Sequence, residues 1–180
     1  MNRKPYLLGL IASVLLLSAC ASNGVRMLTP GMVTSNASAV VVYGVGVEGN
    51  WQAERFGIEL AAYDVESQSV AGSCFRFNRT QATVAATPGP VQYFAFEVPA
   101  GNYVYIPRHG GARAQAFAAP GGRIVYIGDF VYEKNKDVAL RRELDSLQKS
   151  RAAWLPDLKG QISQAVATPV ETVRVFTCSL

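Results

Sequence analysis

Histidine is almost absent from this chain, cysteine is scarce, and only 17% of its 180 residues are charged. The single histidine, His109, lies between Arg108 and Gly110 in a stretch that reads as an exposed turn. One histidine and three widely separated cysteines do not supply ligand spacing, so no metal site is expected. No serine sits in a nucleophile-elbow setting, which leaves a Ser/His/Asp triad without a nucleophile. The carboxylates Glu48, Glu54, Glu59, Asp64, Glu66, Glu97 and Asp129 are scattered over expected strands and loops, and the sequence pairs no two of them for acid/base work. Gly44-Val45-Gly46-Val47-Glu48-Gly49 spells a dinucleotide-binding loop. That motif needs a helix N-terminus to receive the pyrophosphate, and a loop and a second strand follow instead. The expectation is therefore a protein without cofactor and without enzymatic activity. Nor does any apolar run reach the length of a membrane-spanning helix. Leu7 to Leu17 is about half of what a bilayer requires.

That short run has its own meaning. It follows Arg3 and Lys4 and ends in Leu17-Ser18-Ala19-Cys20, the layout of a signal peptide. A leucine at −3, small residues at −2 and −1 and then cysteine resemble the lipobox of bacterial lipoproteins. The resemblance implies that residues 1–19 are removed, that Cys20 is diacylglycerylated on sulfur, and that its new amino group is acylated. Two or three acyl chains, at ~0.8 kcal/mol per buried methylene, anchor stably where one would not. Ala21, not aspartate, follows the cysteine, and by the Gram-negative sorting rule this implies delivery to the outer membrane with the domain facing the periplasm.

Loss of residues 1–19 removes Arg3 and Lys4 from the 17 basic side chains and leaves 15 against 13 acidic ones. A near-neutral domain has no electrostatic reason to seek nucleic acid. The remaining length suits one domain with a real core. With Cys20 lipidated, Cys74 and Cys178 form an even pair in an oxidising compartment. A disulfide between them is expected, the alternative being two buried thiols.

Residues 20–38, rich in Ser, Asn, Thr, Gly and Pro, read as a flexible lipidated tether. A single domain then fills residues 39–180. Ala39 to Val47 and Phe56 to Val65 read as strands. Residues 79–90 read as a loop with at most a short strand. Val91 to Val98 alternates with period two: Gln92, Phe94, Phe96 and Val98 on one face, Tyr93, Ala95 and Glu97 on the other. Pro99-Ala100-Gly101-Asn102 is a turn in which glycine accepts positive φ. Strands follow at Tyr103 to Arg108, Ala112 to Ala118 and Arg123 to Tyr132. The last places Ile124, Tyr126, Gly128 and Phe130 opposite Val125, Ile127 and Asp129. Leu140, Leu144 and Leu147 predict an amphipathic helix over 137–153, capped by Asn135 or Asp137. A short helix within 157–166 and a strand over 170–178 complete the chain. The expected fold is mainly β, an antiparallel β-sandwich with one C-terminal helix packed on it.

Phe96-Glu97-Val98-Pro99-Ala100-Gly101-Asn102-Tyr103, followed by Pro120-Gly121-Gly122-Arg123-Ile124-Val125-Tyr126-Ile127-Gly128-Asp129-Phe130, resembles an uncharacterised family of bacterial lipoproteins. There a Val-Pro-x-Gly-x-Tyr turn precedes an x-Gly-x-Val-Tyr-Ile-Gly strand. The resemblance implies a β-sandwich similar to transthyretin and carboxypeptidase regulatory domains. Its motif residues are turn glycines and strand aromatics, so it implies no catalytic residue.

Two features could bind a partner. Tyr103, Tyr105, Arg108, His109, Arg113 and Tyr126 would suit a glycan or peptide stem through ring stacking and bidentate hydrogen bonds. An open sheet edge would accept a strand from another protein. The leading expectation is a membrane-anchored, non-enzymatic interaction or assembly module for an envelope protein. The alternative is a lipoprotein that binds peptidoglycan or another cell-wall glycan.

Overall fold

The computed structural model describes residues 21–109 and 113–176, so the signal peptide, Cys20 and Cys178 lie outside the described residues. In chain order the first strands are β1 (Ser22–Asn23), β2 (Arg26–Met27), β3 (Ser38–Val47), β4 (Arg55–Asp64) and β5 (Ser69–Val70). Then come β6 (Arg76–Phe77), β7 (Arg79–Ala85), β8 (Gly89–Pro99), β9 (Gly101–Pro107) and β10 (Gln115–Ala119). The chain continues through β11 (Ile124–Tyr132), β12 (Val138–Arg141), helix α1 (Leu144–Trp154), β13 (Ile162–Gln164) and β14 (Ala167–Pro169). The class is mainly β with one short helix.

Most strands fall into two sheets. One runs β12-β11-β3-β8-β2, with β13 beside the first half of β11. The other runs β14-β10-β9-β4-β5, with β7 also on β4. Side chains of both sheets meet in one large apolar cluster. Tyr43, Phe96 and Phe130 come from the first sheet, and Phe56, Tyr105 and Phe117 from the second. Phe56 and Tyr132 stack across the gap, ring centroids 3.9 Å apart. Two phenols also cross it. The Tyr43 hydroxyl donates to the Ile58 carbonyl and accepts from the Ala82 N–H, both at 3.2 Å, and Tyr132 donates to the Gly57 carbonyl at 3.2 Å. A buried phenol must be answered, and here the answer ties the sheets together.

The expected Pro/Gly turns are corners between sheets rather than hairpins. The chain leaves the first sheet at the end of β8 and enters the second at β9, and it returns between β10 and β11. Tyr103 fastens the first corner by donating to the Pro99 carbonyl at 2.9 Å. Gly101 in that corner has ordinary negative φ; it is Gly122, in the second, that takes φ of 68°.

The sequence alternation holds for β8. Phe94, Phe96 and Val98 face the shared core, while Tyr93 and Ala95 face α1. β3 is buried along nearly its whole length because Val40 and Val42 lie under α1 on its second face. Leu147, Leu155 and Leu158 complete that second cluster, so the helix does pack on the sheet.

Several expectations are corrected. The sheets are not purely antiparallel: β3 and β11 run parallel, as do β11 and β13, because β4 to β10 separate the first pair in sequence, and β12 and α1 the second. Residues 79–85 form a full strand, since β4 is long enough to pair with them from Arg55 to Ala61. The helix begins at Leu144, not near 137. A turn closed by Glu133 and Asp137, with Lys136 at φ 71°, sends Val138–Arg141 back along β11 as a strand. Asn135 accordingly accepts from the Asp137 N–H within this turn, and the helix starts at Glu143 without a side-chain cap. The stretch 157–166 is no helix but contains β13, and 170–176 is not a strand: it has one isolated bridge, Arg174 to Ser69, and is held besides by hydrogen bonds of Val170, Thr172 and Arg174.

The last correction concerns residues 21–38, expected as a tether. β1 pairs with β6 in a separate two-stranded sheet, β2 pairs with β8 in the first sheet, and Leu28 is buried. The segment is a strap across the side of the domain, because its few apolar and hydrogen-bonding residues find partners on two unfilled edges.

Candidate functional site

The residues expected to form one aromatic and basic surface are dispersed. Tyr103, Tyr105 and Tyr126 are each at most 1% exposed. Tyr105 sits edge-on to Phe130 with ring centroids 5.0 Å apart, in the core. Arg108 reaches Glu59 at 3.6 Å, beside Arg79 at 2.6 Å from the same carboxylate. His109 is exposed and meets Phe56 edge-on at 5.5 Å. Arg113 is exposed. Strand parity explains the outcome: in a two-sheet protein one aromatic in two points inward, and Tyr103 and Tyr105 share the inward parity. Cys74 is not a free thiol.

The structure gathers a different polar cluster, beneath α1. Tyr126 donates to Asp129 Oδ1 at 2.7 Å and Tyr93 donates to Oδ2 at 3.2 Å. Trp154 of α1 stacks on Tyr93, centroids 5.8 Å apart at 18°. Burial raises the Asp129 carboxyl foremost, and the two phenol hydrogen bonds pull the other way. Burial also pushes Tyr93 up to about 12, helped by the neighbouring Asp129. The carboxyl and two phenols join β8 and β11 of the first sheet, and the Trp154 ring on Tyr93 ties helix α1 to them. Among the described residues no group of three His, Cys, Asp or Glu could hold a metal ion.

A second buried carboxylate, Glu97, holds the strap. Arg26 Nε donates to it at 2.9 Å and the Ser35 N–H at 2.7 Å. Burial alone would raise this carboxyl, but Ser35 and Arg26 outweigh it and hold Glu97 below the usual range. At the other sheet the Asn23 side chain imitates a strand, donating to the Arg79 carbonyl at 2.6 Å and accepting its N–H at 3.1 Å.

The strap leaves part of one edge open. β2 covers β8 only at Phe96 and Glu97, and the Leu28 N–H adds a bond to Ala95. From Gly89 to Phe94, no backbone partner lies on the side of β8 away from β3 among the described residues. By alternation the N–H and C=O of Tyr93 face that side, as the Ala95 carbonyl does. Pro90 sits at a register shift, where its missing N–H is tolerated. Gln92 is exposed and Val91 half-buried. Such an edge is a template for another strand.

No family model, curated protein or solved structure matches this chain. Its function is therefore read from these features alone. The free edge carried no sequence signal beyond strand propensity and the strap only that of a linker, whereas Glu97 at the outward parity of β8 was legible as the one charge in an apolar strand.

Proposed function

We propose that this chain is a lipid-anchored bacterial envelope protein whose domain serves as a non-enzymatic interaction or assembly module. Cys20 carries the lipid, the outer membrane is its destination, and the domain faces the periplasm. Its two sheets form a β-sandwich of the transthyretin-like kind, closed on one side by the strap. A strand from another envelope protein adds to β8 along Gly89 to Phe94.

The observation that carries this reading is the uncovered β8 edge, flanked by half-buried Val91 and Tyr93. Main-chain hydrogen bonds along such an edge supply affinity, and pockets for alternate side chains supply choice of partner. The glycan alternative loses its platform, since Tyr103 and Tyr105 lie in the core. Their burial leaves Arg108, His109 and Arg113 without the tyrosine rings expected beside them.

The test is photo-crosslinking in cells from a probe at Gln92, with Gln81 on β7 as the comparison. A discrete protein adduct from Gln92 and not from Gln81 is expected. Muropeptide adducts, or a protein adduct confined to Gln81, would overturn the assignment.

A further inference from the structure

We propose that the hairpin carrying Phe75 docks on the membrane surface, so that the domain stands against the lipid with this end down. The inference rests on the reading of Cys20 as the acylated residue. It follows from where the strap begins.

The Ser22 N–H donates to the Phe75 carbonyl at 2.8 Å, and its hydroxyl donates to the same oxygen at 3.3 Å. Ser22 stands two positions after Cys20. A chain of two residues reaches at most ~7 Å even when fully extended. The polar interface on each side of a bilayer is itself about 5–8 Å thick. A lipid glycerol attached to Cys20 therefore brings Ser22, and the backbone of Phe75 bonded to it, to the depth of the headgroups. No slack remains for the domain to stand away, because the next residues are also held: Gly24 donates to Phe77 and Arg26 pairs with Glu97.

Direction agrees with distance. β1 and β6 run parallel, Ser22 against Arg76, so the strand direction traced back from Ser22 toward the anchor is the one that leads from Arg76 back to Phe75. Phe75 is 63% exposed, an unusual position for a phenylalanine in a chain with a large aromatic core. A membrane interface accepts such a ring, and the exposed Arg76 beside it suits anionic headgroups. The surface is small, and it need not be larger, because the acyl chains provide the binding while the hairpin sets orientation. With this end against the lipid, the strap starts at the membrane with Ser22 and leads from there to Glu97.

Full-length acylated protein carrying Phe75→Trp, reconstituted in vesicles with bromine on the acyl chains near the headgroups, tests this. Wild-type protein supplies the background from Trp51 and Trp154, and Met27→Trp, an exposed position further along the strap, is the control. Near-UV circular dichroism and intact mass establish that each variant is folded and acylated. The emission added by Phe75→Trp should be mostly quenched and that added by Met27→Trp retained. Retained emission from Phe75→Trp on acylated, vesicle-bound protein would overturn the docking while leaving the anchor intact, as would equal quenching at both positions. A chain with no acyl mass on Cys20 would overturn the anchor and the docking with it.

Discussion

The Tyr126 hydroxyl donates to Asp129 Oδ1 at 2.7 Å although the two residues are three apart on one strand, where strict alternation would put them on opposite faces. A register shift between them lets both face α1. Gly128, at φ 139°, occupies the shift, and Gly44 on β3 leaves the room that the carboxylate fills. Beyond the bulge the faces exchange: Phe130 and Tyr132 join the core that Val125 and Ile127 occupy before it.

Asp129 should make the fold less stable as pH rises. Its carboxyl titrates higher in the folded chain than in the unfolded one, so the folded state holds the proton more tightly. Its contribution is then complete in acid and is lost as pH rises through the folded value. Asp129→Asn should remove that decline and gain on wild type toward neutral pH, by on the order of 1 kcal/mol. Urea unfolding over a pH series reads this, and parallel curves for the two proteins would contradict it.

Glu97 should behave with the opposite sign. Its carboxyl is held low, so its contribution is present at neutral pH and is lost as pH falls through the folded value. Glu97→Gln should cost roughly 1–3 kcal/mol at neutral pH and little in acid, discounted because Arg26 is half exposed. Faster amide exchange at Leu28, with β11 unaffected, would locate the loss in the strap. Unchanged exchange there would contradict its anchoring role.

Two glycines should respond differently to alanine. A Cβ at Gly128 would stand 2.6 Å from Leu140 Cδ1 and 2.8 Å from the Arg141 carbonyl, at a φ that alanine resists. Gly101 has ordinary φ and no atom within 4 Å of its Cβ position. Gly128→Ala should cost about 2 kcal/mol or more, and Gly101→Ala should be neutral or gain up to ~1 kcal/mol. Thermal melts decide; equal losses would contradict the assigned roles.

We propose that Cys74 pairs with Cys178. Ser69 and Arg174, joined by a parallel bridge, stand five residues before Cys74 and four before Cys178 in the sequence. A bridge closing about a hundred residues is credited with up to ~4.7 kcal/mol, less strain. Reduction should lower the melting temperature, and the double change to serine should abolish the effect of reductant. A wild-type melt indifferent to reductant would contradict the pairing.

Much of the fold was legible where periodicity alone decides. β8 reads directly from the alternation of Phe94, Tyr93, Phe96 and Ala95, and β3 from its unbroken valines, which signal burial on both faces. The bulge in β11 was not legible, because Gly128 reads equally as a strand glycine. Leu140, Leu144 and Leu147 fit one helical stripe, yet the turn at Lys136 gives Leu140 to a strand and its companions to the helix. The strap was hidden for another reason. Its composition is that of a linker, and long-range partners such as Phe75, Glu97 and Arg79 order it.

The most direct test of the lipid anchor, on which the proposed function rests, is the mass of the N-terminal peptide of protein extracted from bacterial membranes. The predicted result is a peptide beginning at Cys20 and carrying a diacylglyceryl group with an additional acyl chain. A peptide that retains residues before Cys20, or an unmodified Cys20, would contradict it.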